Sequence, residues 1–153
     1  MPSTASLKTD PEEKTMNPST LTTTIQLTGR LLLSVIFILA GAGKIGAYAG
    51  TQAYMESMGV PGFLLPAVIL LELGGGLAMV LGWQTRLAAF LLAGFSVLSA
   101  LLFHANFIDS MQSILFMKNL AMAGGLLFLV AGGAGAWSLD ARYGVNPKEP
   151  SHV

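Results

Sequence analysis

Cysteine is absent from the 153 residues. Disulfides, thiol redox chemistry, thiolate metal sites and iron–sulfur clusters are therefore excluded within this chain. Charge is scarce too: 10% of the residues are charged, against about 25% in a soluble domain. Eight basic residues balance eight acidic ones, so there is no basic surface for nucleic acid. Histidine occurs twice, at His104 and His152, near opposite ends of the expected architecture. A haem b site needs two buried histidines, so neither haem nor a histidine-rich metal site is expected. A dinucleotide fingerprint, a nucleophile elbow and a spaced phosphate loop are also missing. The run Gly41-Ala42-Gly43-Lys44-Ile45-Gly46 has Ile45 where a phosphate loop carries Ser or Thr. It reads as a helix end with small packing residues.

Apolar residues fill the space that charge leaves. The chain is 53% hydrophobic, with a mean hydropathy of +0.66. A bilayer core takes about 20 residues of helix, and four segments approach that length, near 22–45, 63–82, 85–105 and 113–137. The expectation is an all-α, four-transmembrane-helix bundle, antiparallel and up-down. Residues 1–24 read as a flexible polar tail, 25–138 as the membrane domain and 139–153 as a second polar tail. The run Leu31–Ala40 followed by Ala47-Tyr48-Ala49 imitates a signal peptide, but the long mixed-charge segment before it favours an uncleaved first helix. A short amphipathic helical turn is expected between the first two spans. Lys8, Lys14, Arg86, Arg142 and Lys148 fall on the side of the termini, and Lys44 and Lys118 on the other. The positive-inside rule then places both termini in the cytoplasm.

Polar residues inside such a bundle are costly and usually face its interior. Glu72 is the single charge between Ser57 and Thr85. Counting from helix ends puts Arg30 at ~12 Å depth and Glu72 at ~14 Å from the opposite surface, at 1.5 Å per residue. Antiparallel helices would then bring them level, and an Arg30–Glu72 ion pair is expected. One reading makes that pair a lock between two helices; another makes Glu72 a proton acceptor or ligand contact. Lys44, His104 and Lys118 should gather near the other surface with Asp109, Asn106, Gln112 and Asn119. Two cations, an imidazole and a carboxylate suit an anionic or carbonyl-bearing ligand, or serve as snorkelling ends. His104 is a proton-transfer candidate, because the unperturbed pKa of a histidine side chain lies near neutrality. The many intramembrane glycines read first as packing residues that let helices approach.

The order of these features resembles the DoxX family of small bacterial inner-membrane proteins. The marks are Arg30 near the start of the first helix, Gly41-x-x-Lys44 at its end, and Tyr54-x-x-x-x-Gly59-Val60-Pro61 in the loop. They continue with Glu72-x-x-Gly75-Gly76, Gly82-x-x-Thr85-Arg86, Phe103-His104 and Lys118-Asn119. The resemblance spans about residues 29–140. It implies a four-helix bundle in the cytoplasmic membrane and points to Arg30, Lys44, Glu72, Arg86, His104 and Lys118. The family takes its name from a subunit of a thiosulfate:quinone oxidoreductase, and some members associate with redox-stress enzymes. The leading functional expectation is thus a membrane subunit of a redox or quinone-linked system. Glu72 and His104 would manage protons; Arg30, Lys44 and Lys118 would contact the ligand. No metal is expected, and a quinone is the candidate cofactor. Besides the lipid bilayer, a redox enzyme or a second copy is the candidate partner. The alternatives are a non-enzymatic scaffold or assembly factor and a small-solute transporter. The transporter is disfavoured because four helices enclose little space and no inverted repeat is evident.

Overall fold

The computed structural model describes residues 18–144; the polar segments before and after, with His152, lie outside the described residues. Among the described residues the chain is all helical. The order is α1 (Pro18–Gly46), α2 (Tyr48–Ser57), a short 3-10 turn (Gly62–Leu64), α3 (Leu65–Leu81), α4 (Thr85–Phe103), α5 (Ser110–Gly132) and α6 (Leu139–Arg142). Four of these helices are long and apolar enough to cross a membrane. The bundle is a four-transmembrane-helix bundle, with α1 packed on α3, α4 packed on α5, and α3 joined to α4. Contact between α1 and α5, which would close the ring, is thin.

Local chemistry explains the breaks. Pro66 sits in the first turn of α3, where its missing N–H costs nothing. Gly82 ends α3 in the left-handed conformation at φ +66°, which glycine adopts without strain. Asp109 caps α5, its side chain accepting a hydrogen bond from the Met111 amide at 2.8 Å.

The core is small and built from small side chains. Phe37, Met79, Leu92 and Leu126 interlock with Ala88, Ala89, Ala93 and Ala123. Large apolar residues such as Leu32, Leu70, Phe90 and Phe128 point outward and are more than two-thirds exposed, apart from Phe90 at 60%. In water that surface would be untenable; in lipid it carries no penalty, and helix association then depends on close packing. Glycine supplies it at two crossings. A side-chain carbon at Gly76 would meet Ile38 of α1 at 2.7 Å, and one at Gly75 would meet Leu92 of α4 at 2.9 Å. Both glycines beside Glu72 therefore serve helix packing.

The fourth span ends earlier than the sequence suggests. Instead of continuing to 137, α5 stops at Gly132, and Gly133 and Gly135 take φ of +76° and +80°. The chain turns back beneath the bundle. Ser138 caps α6 by accepting from the Ala141 amide. Asp140, read from sequence as part of a polar tail, is 3% exposed. Its two oxygens accept hydrogen bonds from the backbone N–H groups of Gln84 at 2.7 Å and Thr85 at 2.9 Å. These are orphan donors at the start of α4, where a carboxylate is also favoured by the helix dipole. The bonds hold Gln84 at φ +48°, a conformation that costs a non-glycine residue about 1–3 kcal/mol.

Arg30 completes this closure and corrects an expectation: it forms no pair with Glu72. Its guanidinium is 1% exposed and donates to the carbonyls of Ala134 and Trp137, with a weaker approach to Val80 at 3.4 Å. The depth count failed because α1 begins at Pro18 and overshoots the bundle. Arg30 is twelve residues into α1, yet it lies level with the C-terminal turn of α3. Val80 is eight residues beyond Glu72 on that helix, or roughly 12 Å along the axis. That gap is too long for an ion pair.

Candidate functional site

Glu72 finds a different partner. Lys44, in the last turn of α1, places its Nζ 2.8 Å from Glu72 Oε1. Side chains on a helix lean towards its N-terminus. Lys44 therefore reaches back down α1 towards the depth of Glu72 rather than out to the surface. Gly41 lets this happen: a side-chain carbon there would meet Leu73 and the Cβ of Glu72, so α1 and α3 touch one turn below the pair. This is the one ion pair among the described residues.

The pair is incomplete. Glu72 is 3% exposed, and its Oε2 is buried without a hydrogen-bond partner. An unpaired carboxylate oxygen away from water is expensive, and such atoms in native proteins call for a reason. The surroundings supply one. Glu72 and Lys44 line a cleft of about 220 Å³. Its other walls are Thr51, Tyr54 and Met55 of α2, Val68 of α3, and Phe95, Ser99 and Phe103 of α4, with His104 at the rim. Tyr54 and Phe103 stack with ring centroids 5.7 Å apart, so α2 roofs the end of the bundle. The surface is mostly apolar, with a few convergent polar groups, which is the usual make-up of a small-molecule site.

His104 ends α4, and its Nδ1 lies 2.7 Å from Gln112 Oε1 of α5. This contact ties the end of α4 to the start of α5. Of the site residues expected from sequence, the structure brings Glu72, Lys44 and His104 to one cleft. Arg30 belongs to the closure at the other end. Lys118 is exposed on α5 and does not line the cleft. Asp140, Thr51 and Ser99 were not singled out from sequence, and Tyr54 entered only as a mark of the family resemblance and an apolar contact of the interhelix turn. Asp140 carried a signal in hindsight: it follows a Gly-Gly-x-Gly turn and the Ser138 cap. Thr51, Phe95 and Ser99 carried none, being ordinary residues of their helices.

Residues 25–105 match the DoxX family model. The chain belongs to the DoxX family. The matched region runs from α1 through α4 and ends one residue past His104, so it contains every residue that lines the cleft. This DoxX protein is similar to inner membrane protein YqjF of Escherichia coli (strain K12), at 57% identity over 114 residues, covering 74% of this chain and 88% of that one. It is also similar to inner membrane protein YphA of the same organism, at 35% identity over 124 residues, 76% of this chain and 88% of that one. A shorter likeness, 32% identity over 64 residues, is to the putative oxidoreductase CatD of Bacillus subtilis (strain 168), covering 42% of this chain and 48% of that one. No solved structure matches the chain. With four spanning helices and these relatives, the DoxX protein is a multi-pass protein of the inner membrane, surrounded by lipid.

Proposed function

We propose that this DoxX protein is the membrane subunit of a redox system and that its cleft holds the head of a small amphipathic ligand of the quinone type. The observation that carries this reading is the buried, unpaired Oε2 of Glu72, set in an apolar cleft beside Lys44 and His104. The redox part is supported by the likeness to a protein named as a putative oxidoreductase. A quinone ring has flat apolar faces and carbonyl oxygens at its edge. The walls formed by Phe95, Phe103 and Met55 suit the faces, and Lys44 can donate to a carbonyl oxygen. Reduction to the quinol takes two electrons and two protons. The electrons come from a partner redox enzyme. Glu72 and His104 are the groups in reach that can hold and pass protons. Arg86 and Arg142 lie at the Arg30 end, and the positive-inside rule makes that end cytoplasmic.

The test is extraction with native lipid followed by mass spectrometry of bound small molecules. A quinone should co-purify with the parent chain and be lost from Glu72→Gln at unchanged protein abundance. Its absence from the parent chain would refute the reading. A second reading, a non-enzymatic scaffold, is favoured by one observation: the Lys44–Glu72 pair ties α1 to α3. It expects Glu72→Gln to lower abundance and complex formation together.

A further inference from the structure

We propose that the cleft is loaded sideways from the bilayer, through the seam between α1 and α5, and so takes a molecule whose polar head enters while an apolar tail stays among the lipid chains. The proposal rests on the reading of the cleft as a ligand site and adds how, and in what form, the ligand arrives.

The walls point to the seam. In the bundle α3 stands between α1 and α4, and those three helices line the cleft with α2 above them. The helix opposite α3 is α5, and it contributes no lining residue. The missing wall is therefore the one where α1 and α5 should meet. Those helices do meet lower down: Leu33 lies against Gly125, and Phe37, Ala123 and Leu126 share the core. Towards the cleft end the closure stops. No residue of α5 from Ser110 to Met122 is buried, and beyond Phe37 the single buried residue of α1 is Gly41. The upper half of the seam is open over about the last two turns of α1.

Lys118 marks the same opening. It lies seven residues before Gly125, two helical turns, so it shares the face of α5 that meets Leu33 lower down. With α1 no longer against it, Lys118 is exposed, and among the described residues it has no hydrogen-bond or ionic partner. With Ser113, Ile114, Met117 and Ala121 it forms an open surface patch on α5, to which no residue of α1 contributes. The side chain leans towards the start of α5, the cleft end of the bundle. A lysine on the lipid-facing part of a spanning helix is costly. At this rim it offers an entering head group its first hydrogen-bond donor, before Lys44 and Glu72 take over. Access from the end is obstructed by the Tyr54–Phe103 stack. Both edges of the seam lie within membrane spans, so a water-soluble ligand would have to cross hydrocarbon to use it.

The absence of cysteine makes a direct test available. Ser99→Cys places one thiol in the cleft of the full-length chain in liposomes. It is challenged with a bilayer-dissolved maleimide, N-(1-pyrenyl)maleimide, and with a sulfonated, membrane-impermeant maleimide, each normalised to its rate on the unfolded protein. Lateral loading predicts labelling by the pyrenyl reagent about tenfold faster, since apolar surface concentrates it in the bilayer. Adding Ala121→Trp to the seam should slow that labelling severalfold. Gly94→Trp, on the outward groove between α4 and α5, should leave it unchanged. Equal or faster labelling by the impermeant reagent, insensitivity to Ala121→Trp, or protection from both reagents would each overturn the proposal. Such a result leaves the quinone reading to the mass spectrometry above, so the two fail separately.

Discussion

Arg30 and Glu72 are both buried charges in a lipid-embedded bundle, yet the protein treats them in opposite ways. Arg30 is surrounded by fixed acceptors: the carbonyls of Ala134 and Trp137 bind its terminal nitrogens, Val80 stands nearby, and only Nε lacks a partner. All of these acceptors are backbone: Val80 is in the last turn of α3, whose carbonyls have no helical partner, and Ala134 and Trp137 lie in the segment between α5 and α6. The charge is thus spent on closing the fold. Glu72 has a single partner, Lys44, whose side chain is 26% exposed, and keeps one oxygen unpaired beside a cleft. A saturated charge with rigid partners is architecture. An unsaturated charge beside a cleft is what the proposed ligand site rests on.

Substitutions can break this contrast. The largest effect should come from Arg30→Met, which strands the buried carbonyls of Ala134 and Trp137. Each buried acceptor left without its donor costs about 1–3 kcal/mol, so with two of them stranded, thermal unfolding in detergent should show a large drop in Tm. If Arg30→Met is stable but loses ligand, the architectural role assigned to Arg30 is wrong. Next is Asp140→Asn, which keeps the shape but gives up the charged acceptor shared by Gln84 and Thr85; a loss of about 1–3 kcal/mol is expected, read in the same melt. Glu72→Gln should cost less, about 1 kcal/mol, because polar interactions between membrane helices measure near that size and Lys44 can turn into the cleft. Ligand retention should nevertheless fall sharply. The double variant Lys44→Met/Glu72→Gln should regain part of the stability and none of the ligand, and strict additivity of the two losses in a double-mutant cycle would show that the pair has no coupling.

Two glycines sharpen the comparison at the small end. Gly76→Ala drives a methyl group into Ile38 and should destabilise by about 1 kcal/mol, as overpacking usually does. Gly43→Ala meets nothing within 4 Å and should be neutral or gain up to about 1 kcal/mol from helix propensity. Paired melts of the two variants check the assignment of packing to one and open space to the other.

Much of this was legible in the residues. Four apolar stretches with few charges, separated by Gly, Pro and short polar loops, permit little besides a helical bundle in lipid. Glu72, Lys44 and His104 were legible as polar exceptions, because a charge in hydrocarbon must have a use. Their partners were not. Depth was counted from helix ends, and α1 begins about two turns before Gln26, which packs on Gly135, so the wrong cation was matched to Glu72. The fold-back at Gly133–Asp140 was also missed: a short polar run after a span looks the same whether it hangs free or seals the bundle.

The sequence by itself determined the solvent and the four spanning helices of this protein. Hydropathy and helix length act locally, residue by residue, and need no knowledge of neighbours. Which charge meets which, that Asp140 caps α4, and that one wall of the cleft is missing were decided by tertiary structure alone. Those outcomes depend on where helices start, how far glycines let them approach and where their axes part. Shifts of one or two turns, too small to change any local preference, decide whether a buried carboxylate is sealed or left facing an opening.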